Sequence, residues 1–206
     1  KEYFMSMVNR GHFTEIGTFY PESYYGDKVP KFIADHYKKN PYSETTYFSG
    51  ILFTAASQSL GILKPHLNKQ ELDAAKRWGR ILYMDVTRHR TTKLGKDITA
   101  SLAAGFTTWG YVAGDAKILK KGKSFFNLGI RNITHTGLEK QFVQGYTKER
   151  ELKYFHMTFG HLAIAAWAIE KNGGKAFDKR SGGGSLIDAF NYFLTASFFP
   201  DKRKGI

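Results

Sequence analysis

The chain of 206 residues contains no cysteine. This absence excludes disulfide scaffolds, thiolate metal sites and cysteine nucleophiles, because each of them needs the sulfur of a cysteine side chain. Proline is scarce as well, with 5 residues, and no run approaches the roughly 18 uninterrupted apolar residues of a membrane span. With 42% hydrophobic and 16% aromatic residues, the chain can bury a core of its own. We therefore predict a single globular domain over residues 1–206.

Several catalytic and cofactor motifs are also missing. The sequence has no P-loop, no GxGxxG after a predicted strand, no GxSxG and no HExxH, so it gives no support to nucleotide, dinucleotide, α/β-hydrolase or zincin functions. None of the seven histidines has the spacing of a metal site; His156 and His161, for example, lie five residues apart. We predict neither a metal nor a cofactor.

Positive charge is in excess, and the formal net charge is +13. A field of that sign attracts polyanions such as nucleic acids, acidic membrane surfaces and acidic polysaccharides. A basic cluster is predicted at the end of a helix, where the macrodipole favours cations. Its members are Lys117, Lys120, Lys121 and Lys123. No nucleic-acid-binding pattern accompanies them, so a nucleic-acid-binding helical protein remains an alternative and no nucleic acid is expected as a partner.

Apolar residues recur at intervals of three and four, the period of an amphipathic helix. Segments 45–63 and 69–87 are predicted to form an α-hairpin, with Asn68 and Glu71 as a capping box. Further helices are predicted at 29–39, 100–121, 123–133, 152–171 and 185–199, with Gly122 as a stop and Ser185 as an N-cap. Consecutive helical hairpins predict an all-α fold, an α/α toroid in the form of an incomplete barrel.

Residues 1–40 differ in composition from the rest of the chain. Segment 19–27 combines three tyrosines and a phenylalanine with proline and glycine, a mixture that disfavours regular structure. We interpret residues 1–40 as a candidate lid or aromatic loop region, with Tyr24 and Tyr25 as candidates for stacking on sugar rings. The alternative is that these tyrosines pack onto the core.

The stretch from residue 150 to 162 carries a candidate site. On a helix, Arg150, Tyr154, Thr158 and His161 are separated by steps of four, four and three residues, so they share a face. A cation, a phenol, a hydroxyl and an imidazole can together neutralise a carboxylate and move a proton. The alternative is that the tyrosine and the histidine are core residues and the arginine is merely solvent-exposed.

Segment 150–173 resembles the signature helix of the alginate lyases of polysaccharide lyase family five, which begins Arg-Ala-Leu-x-Tyr-His and ends in Ala-x-x-Asn-Gly. Residues 183–186 with Phe190 resemble the next helix of the family, and residues 106–111 lie where the family has Asn-Asn-His-x-Tyr-Trp. The resemblance covers roughly residues 45–200. It implies an α/α toroid and cleavage of mannuronate-rich alginate by β-elimination.

The resemblance also implies roles for individual residues. Tyr154 matches the tyrosine that protonates the leaving oxygen, and Arg150 matches an arginine of the family's Arg-Gly-x-Arg pattern. The asparagine and histidine of the family fall on Thr108 and Trp109. The shared helix face and the resemblance together make Tyr154, Arg150 and His161 the catalytic candidates. Candidates for binding substrate are Thr108, Trp109, Tyr111, Lys148, Tyr24 and Tyr25.

Three readings of the departures at positions 108 and 109 stay open. Tyr154 can serve as both base and acid, with Arg150 or Lys148 lowering the pKa of the phenol; the substrate can differ from alginate; or catalysis is lost and the protein only binds acidic polysaccharide. The expected partner is a polyuronate, with no membrane partner, and a monomer is predicted. Because the chain starts at Lys1 without an apolar leader, we predict a removed signal peptide and a periplasmic or secreted location.

Overall fold

A computed structural model describes residues 1–13, 28–89, 96–135, 137 and 148–198. The α-helices of the described residues are α1 (Glu2–Asn9), α2 (Lys31–Lys39), α3 (Ser43–Leu63), α4 (Lys69–His89), α5 (Lys96–Ala113), α6 (Ala116–Ile130), α7 (Lys148–Lys171) and α8 (Leu186–Phe198). A short 3-10 helix, Lys64–His66, follows α3. The prediction of an all-α fold is confirmed.

Helix α5 lies at the centre, between α3 and α7. Residues 98–110 of α5 are all buried. Gly50 of α3 faces Ser101, and Gly61 faces Val112, so contacts advance in the same direction along both helices and α3 runs parallel to α5. Helix α6 runs antiparallel to α5, because Gly110 faces Leu119 while Gly122 faces Thr107. Helix α3 is thus parallel to α5, and α6 returns antiparallel to α5. This arrangement agrees with the repeated helical hairpins predicted from the sequence.

The helix caps predicted from local sequence are confirmed. The backbone amide of Glu71 donates to Asn68 Oδ1 at 2.9 Å, and the amide of Asn68 donates to Glu71 Oε2 at 2.9 Å. The amide of Asp188 donates to Ser185 Oγ at 3.2 Å, and the amide of Ser185 donates to Asp188 Oδ2 at 2.8 Å. Each pair satisfies amides that a helix start leaves without an intrahelical partner.

The predicted boundary at Gly122 is wrong. The chain breaks instead at Gly114, whose φ is +69°, and Asp115 then caps α6 by accepting hydrogen bonds from the amides of Lys117 and Ile118. Gly122 lies inside α6, where a Cβ would come within 2.5 Å of the backbone nitrogen of Thr107. This glycine therefore permits close helix packing, which a reading of glycine as a stop does not anticipate.

The same shift corrects the interpretation of the basic cluster. Lys117, Lys120, Lys121 and Lys123 lie in the first half of α6, away from the last helical turn, where the macrodipole favours cations. The predicted position of these lysines at a helix C-terminus is therefore wrong. Their backbone positions are set by the buried face of the helix, since Ile118, Phe125 and Phe126 point into the core.

The described part of residues 1–40 is helical in two places. Helix α1 buries Phe4, Met5 and Val8 in the main core, and the indole of Trp78 donates a hydrogen bond to the carbonyl of His12 at 2.8 Å. Tyr24 and Tyr25 lie outside the described residues, so their role as a lid stays a prediction. Of the helices in the described ranges, none is both long and apolar enough to cross a membrane.

Candidate functional site

Three helices bring polar side chains together near the N-terminal ends of α3 and α5. Tyr47 of α3 places its hydroxyl 3.4 Å from Nε2 of His161 on α7, and the two rings meet edge to face with centroids 5.8 Å apart. Asp97, in the first turn of α5, interacts electrostatically with both. Tyr47, Asp97, Thr158 and His161 are called the polar end below.

Burial and charge set the protonation states of this pair. Burial lowers the pKa of His161, and the negative charge of Asp97 opposes that effect without reversing it. Burial, followed by the charges of Asp97 and Glu44, raises the pKa of the Tyr47 phenol. Near neutral pH the pair is therefore an uncharged imidazole in contact with a protonated phenol, an arrangement that can move a proton but carries no net charge.

Among the described side chains of α7, two polar atoms are buried without a hydrogen-bond partner. They are Nδ1 of His161 and Oγ1 of Thr158, and they lie one helical turn apart. Folded proteins rarely leave buried polar atoms unpaired, because each loses its bonds to water and gains nothing in return. Unpaired atoms beside a tyrosine–histidine contact therefore mark the middle of α7 as a candidate functional site.

An apolar groove of about 730 Å³ runs along α5 between α3 and α7. Its lining residues are Ser57, Gln58, Gly61, Ile62, Thr108, Val112, Ala163, Ile164 and Trp167. None of them is charged. Trp167 is 47% exposed and meets the ring of Tyr111 edge to face at 6.0 Å. A groove with an exposed aromatic side chain suits the apolar face of a sugar ring.

A scan against models of known protein families matches residues 30–202 to the alginate lyase family. The match spans well over half of the chain. The chain belongs to the alginate lyase family. Membership supports polysaccharide lyase activity in general. Searches of curated proteins and of solved structures gave no significant match.

The residues at the alginate lyase family's asparagine and histidine positions differ in environment. Thr108 lines the groove, although its hydroxyl already donates to the carbonyl of Ala104 at 2.8 Å. Trp109 is 0% exposed and packs on Phe53 and Trp78. A ring without an accessible face cannot stack on a sugar, so the substrate-binding role predicted for Trp109 is corrected to a role in the core.

The other candidates have varied placements. Tyr111 is half-buried beside the groove through its contact with Trp167. Lys148, Arg150 and Tyr154 belong to the first two turns of α7, but their side chains lie outside the described part of the structure. Helical geometry alone keeps Tyr154 on the face of Thr158 and His161, about 10 Å from His161 along the axis.

Sequence reasoning missed Tyr47, Asp97 and Trp167. Tyr47 follows two threonines at the start of a helix and shows no motif, and its partner His161 is 114 residues away in the chain. Asp97 resembles any acidic residue of a first helical turn. Only the packing of α3, α5 and α7 brings them together. Within the described ranges, no group of histidine and acidic residues could hold a metal ion.

Proposed function

We propose that this protein cleaves a uronate polymer, with mannuronate-rich alginate as the first candidate, by β-elimination. The family match over residues 30–202 carries the proposal. The net charge of +13 supports it, because a positive field attracts a polyanionic chain. The groove along α5 offers a surface on which sugar rings can lie.

The elimination needs three contributions from the protein. The C6 carboxylate must be neutralised so that the C5 proton becomes acidic, a base must take that proton, and an acid must protonate the departing O4. We assign neutralisation to Arg150, with Lys148 beside it, and protonation of O4 to Tyr154. His161 is assigned to the catalytic set because it contacts Tyr47 of α3 and shares a face of α7 with Tyr154 by helical register.

The test is the ultraviolet absorbance of the unsaturated uronate product. Purified protein is offered polymannuronate, polyguluronate, polyglucuronate and heparin-type chains in turn. We expect absorbance to rise on one of these polymers. A flat trace on all four, from a protein that still binds one of them, would replace the lyase proposal with the binding-only alternative.

Two substitutions test the assigned roles. Tyr154→Phe should lower the elimination rate by about 10²- to 10⁴-fold with polymer binding intact, because general acid catalysis is lost. Tyr42→Phe is the matched control. Full activity of Tyr154→Phe would remove Tyr154 from the mechanism.

Arg150→Ala should weaken binding and slow elimination by about 10²-fold or more, because the carboxylate then lacks its cation. Lys171→Ala removes an exposed positive charge from the last turn of the same helix and should change both quantities little. If the two variants behave alike, Arg150 contributes only to the general field of the protein.

The remaining alternative is a nucleic-acid-binding protein. Competition between alginate and DNA tests it, and the salt concentration is kept fixed because salt weakens binding to either polymer. Preference for DNA would favour a nucleic-acid-binding protein. The periplasmic or secreted location and the monomeric state stay predictions.

A further inference from the structure

The alginate lyase family's histidine position cannot supply a base in this chain. Trp109 occupies it, and an indole accepts no proton near neutral pH. The side chain is also fully buried between Phe53 and Trp78. If the chain performs the proposed β-elimination, another group must take the C5 proton.

His161 is the described histidine that lies among α3, α5 and α7. Among the other described histidines, His156 is exposed and stacks on Phe193, and His89 lies at the end of α4 beside Tyr42. His161 also faces the same way as Tyr154 by helical register. It is therefore the imidazole best placed to act with Tyr154.

Among the described residues, the imidazole of His161 makes its polar contact with Tyr47. Nδ1 is buried and unpartnered, while Nε2 is directed at the Tyr47 hydroxyl 3.4 Å away. Catalytic hydrogen bonds are often long before substrate binds and shorten in the complex. Tyr47 itself is largely buried and keeps 9% of its surface exposed.

We propose that Tyr47 and His161 together supply the base of the elimination, a role that rests on the proposed lyase function. As the phenol oxygen of Tyr47 takes the C5 proton of the uronate, its own proton passes to Nε2 of His161. The electron pair of the C5–H bond forms the C4–C5 double bond, and the C4–O4 bond breaks. O4 receives a proton from Tyr154, and exchange with water returns the proton from His161 to Tyr154.

The charges around the pair suit this transfer. Among the described residues, Glu44 on α3 and Asp97 on α5 are the charged groups that act on Tyr47, and Asp97 also acts on His161 from α5. A nearby carboxylate stabilises the imidazolium that forms when His161 accepts a proton. The neutral phenol and neutral imidazole of the resting state are the protonation states from which the relay must start.

The test compares two matched tyrosine–histidine pairs. Tyr47→Phe and His161→Gln should each lower kcat on the preferred polymer by about 10²-fold or more, as expected for loss of a general base. Tyr42→Phe and His89→Gln disrupt a pair with ring centroids 5.0 Å apart that has no assigned catalytic role, and should stay within about twofold of wild type. Thermal unfolding curves show whether each variant is folded.

The pH profile separates a relay from a merely structural contact. Because the pKa of His161 is lowered, the imidazole stays neutral at pH 7 and is protonated only below its ordinary value of 6.5. Wild-type activity should therefore fall on the acid side with a midpoint below 6.5. His161→Gln should lose that acid limb in its residual activity. A structural role would lower the rate at every pH and leave the limb in place.

A second readout does not depend on turnover. NMR titration of the imidazole, assigned through His161→Gln, should show a changed pKa for His161 in Tyr47→Phe and the wild-type pKa in Tyr42→Phe. An active wild-type enzyme with normal Tyr47→Phe kinetics would overturn the relay and leave the lyase proposal standing. A wild-type protein inactive on every polymer would overturn both.

Discussion

The aromatic core around Trp109 and the polar end around Tyr47 share helices α3 and α5 but enclose different kinds of side chain. In the aromatic core, defined as Phe53, Trp78, Phe106 and Trp109, ring centroids lie 5.1 to 6.3 Å apart and the side chains are 0 to 2% exposed. At the polar end, Thr158 and His161 hold buried atoms without hydrogen-bond partners. Nε1 of Trp109 is buried without a partner as well, so what distinguishes the polar end is its titratable side chains, Tyr47, Asp97 and His161.

This difference indicates that the aromatic core contributes mainly to stability and the polar end mainly to chemistry. Trp109, which the resemblance aligns with the family's histidine, lies in the aromatic core, where a charged side chain would be costly. The titratable groups lie about two to three turns away along the helices, at the polar end. Substitutions in the core should therefore change the free energy of unfolding, whereas those at the polar end should change activity.

The largest stability effect is expected at Trp109. Trp109→Ala should lower the free energy of unfolding by about 3–5 kcal/mol, because it removes a fully buried ring and leaves a cavity. Chemical denaturation measures the change, with Trp167→Ala as a control at a half-exposed tryptophan.

Trp109→His tests whether position 109 belongs to the core or reaches the substrate. It restores the family's residue type but should destabilise the protein and give no gain in lyase rate, since position 109 is enclosed. A faster and equally stable Trp109→His protein would show that the position reaches the substrate.

An intermediate effect is expected at Asp115, which joins α4 to α6. Its carboxylate caps α6 and accepts a 2.7 Å hydrogen bond from Nε of Arg80. Asp115→Ala should lower the free energy of unfolding by about 1–2 kcal/mol through loss of the cap and leave lyase activity unchanged. Asp178→Ala, at an exposed position, serves as the control.

The contribution of Asp115 should depend on pH. Burial alone would raise the pKa of Asp115, but the hydrogen bonds from Arg80 and from the amides of Ile118 and Lys117 lower it on balance. The stabilisation is therefore present above the ordinary pKa of 3.8 and is lost as pH falls through the lower value of the folded state. A gap between wild type and Asp115→Ala that stays constant down to pH 2 would contradict this assignment.

The smallest effect is expected at Thr158. Thr158→Val replaces a buried, unpartnered hydroxyl with a methyl group of similar shape, so stability should stay level or rise by up to about 1 kcal/mol. Thr107→Val is the matched control, because the Thr107 hydroxyl donates to the carbonyl of Ala103 at 2.6 Å and its loss should destabilise. If Thr158→Val is the more damaging of the two, the Thr158 hydroxyl makes a hydrogen bond in the folded protein and is not an unpaired group of the polar end.

Much of the helical framework could be predicted because its signals are local. The capping box of Asn68 and Glu71 and the cap at Ser185 act within three residues and appear where the sequence indicates. The helix boundary at Gly122 was misplaced because the same residue type serves two purposes. Glycine ends a helix at Gly114 and lets two helices approach closely at Gly122, and only the neighbouring helix distinguishes them.

The sequence by itself determined that this chain is all-helical, where most of its helices begin and end, and which family it belongs to. These properties follow from periodicity, capping and motif spacing, which act over a few residues or along one helix. Only the tertiary structure decided that Trp109 is core and that Tyr47 meets His161. Both outcomes depend on contacts between residues far apart in the chain, 114 residues in the case of Tyr47 and His161, and the packing of helices against one another sets such contacts.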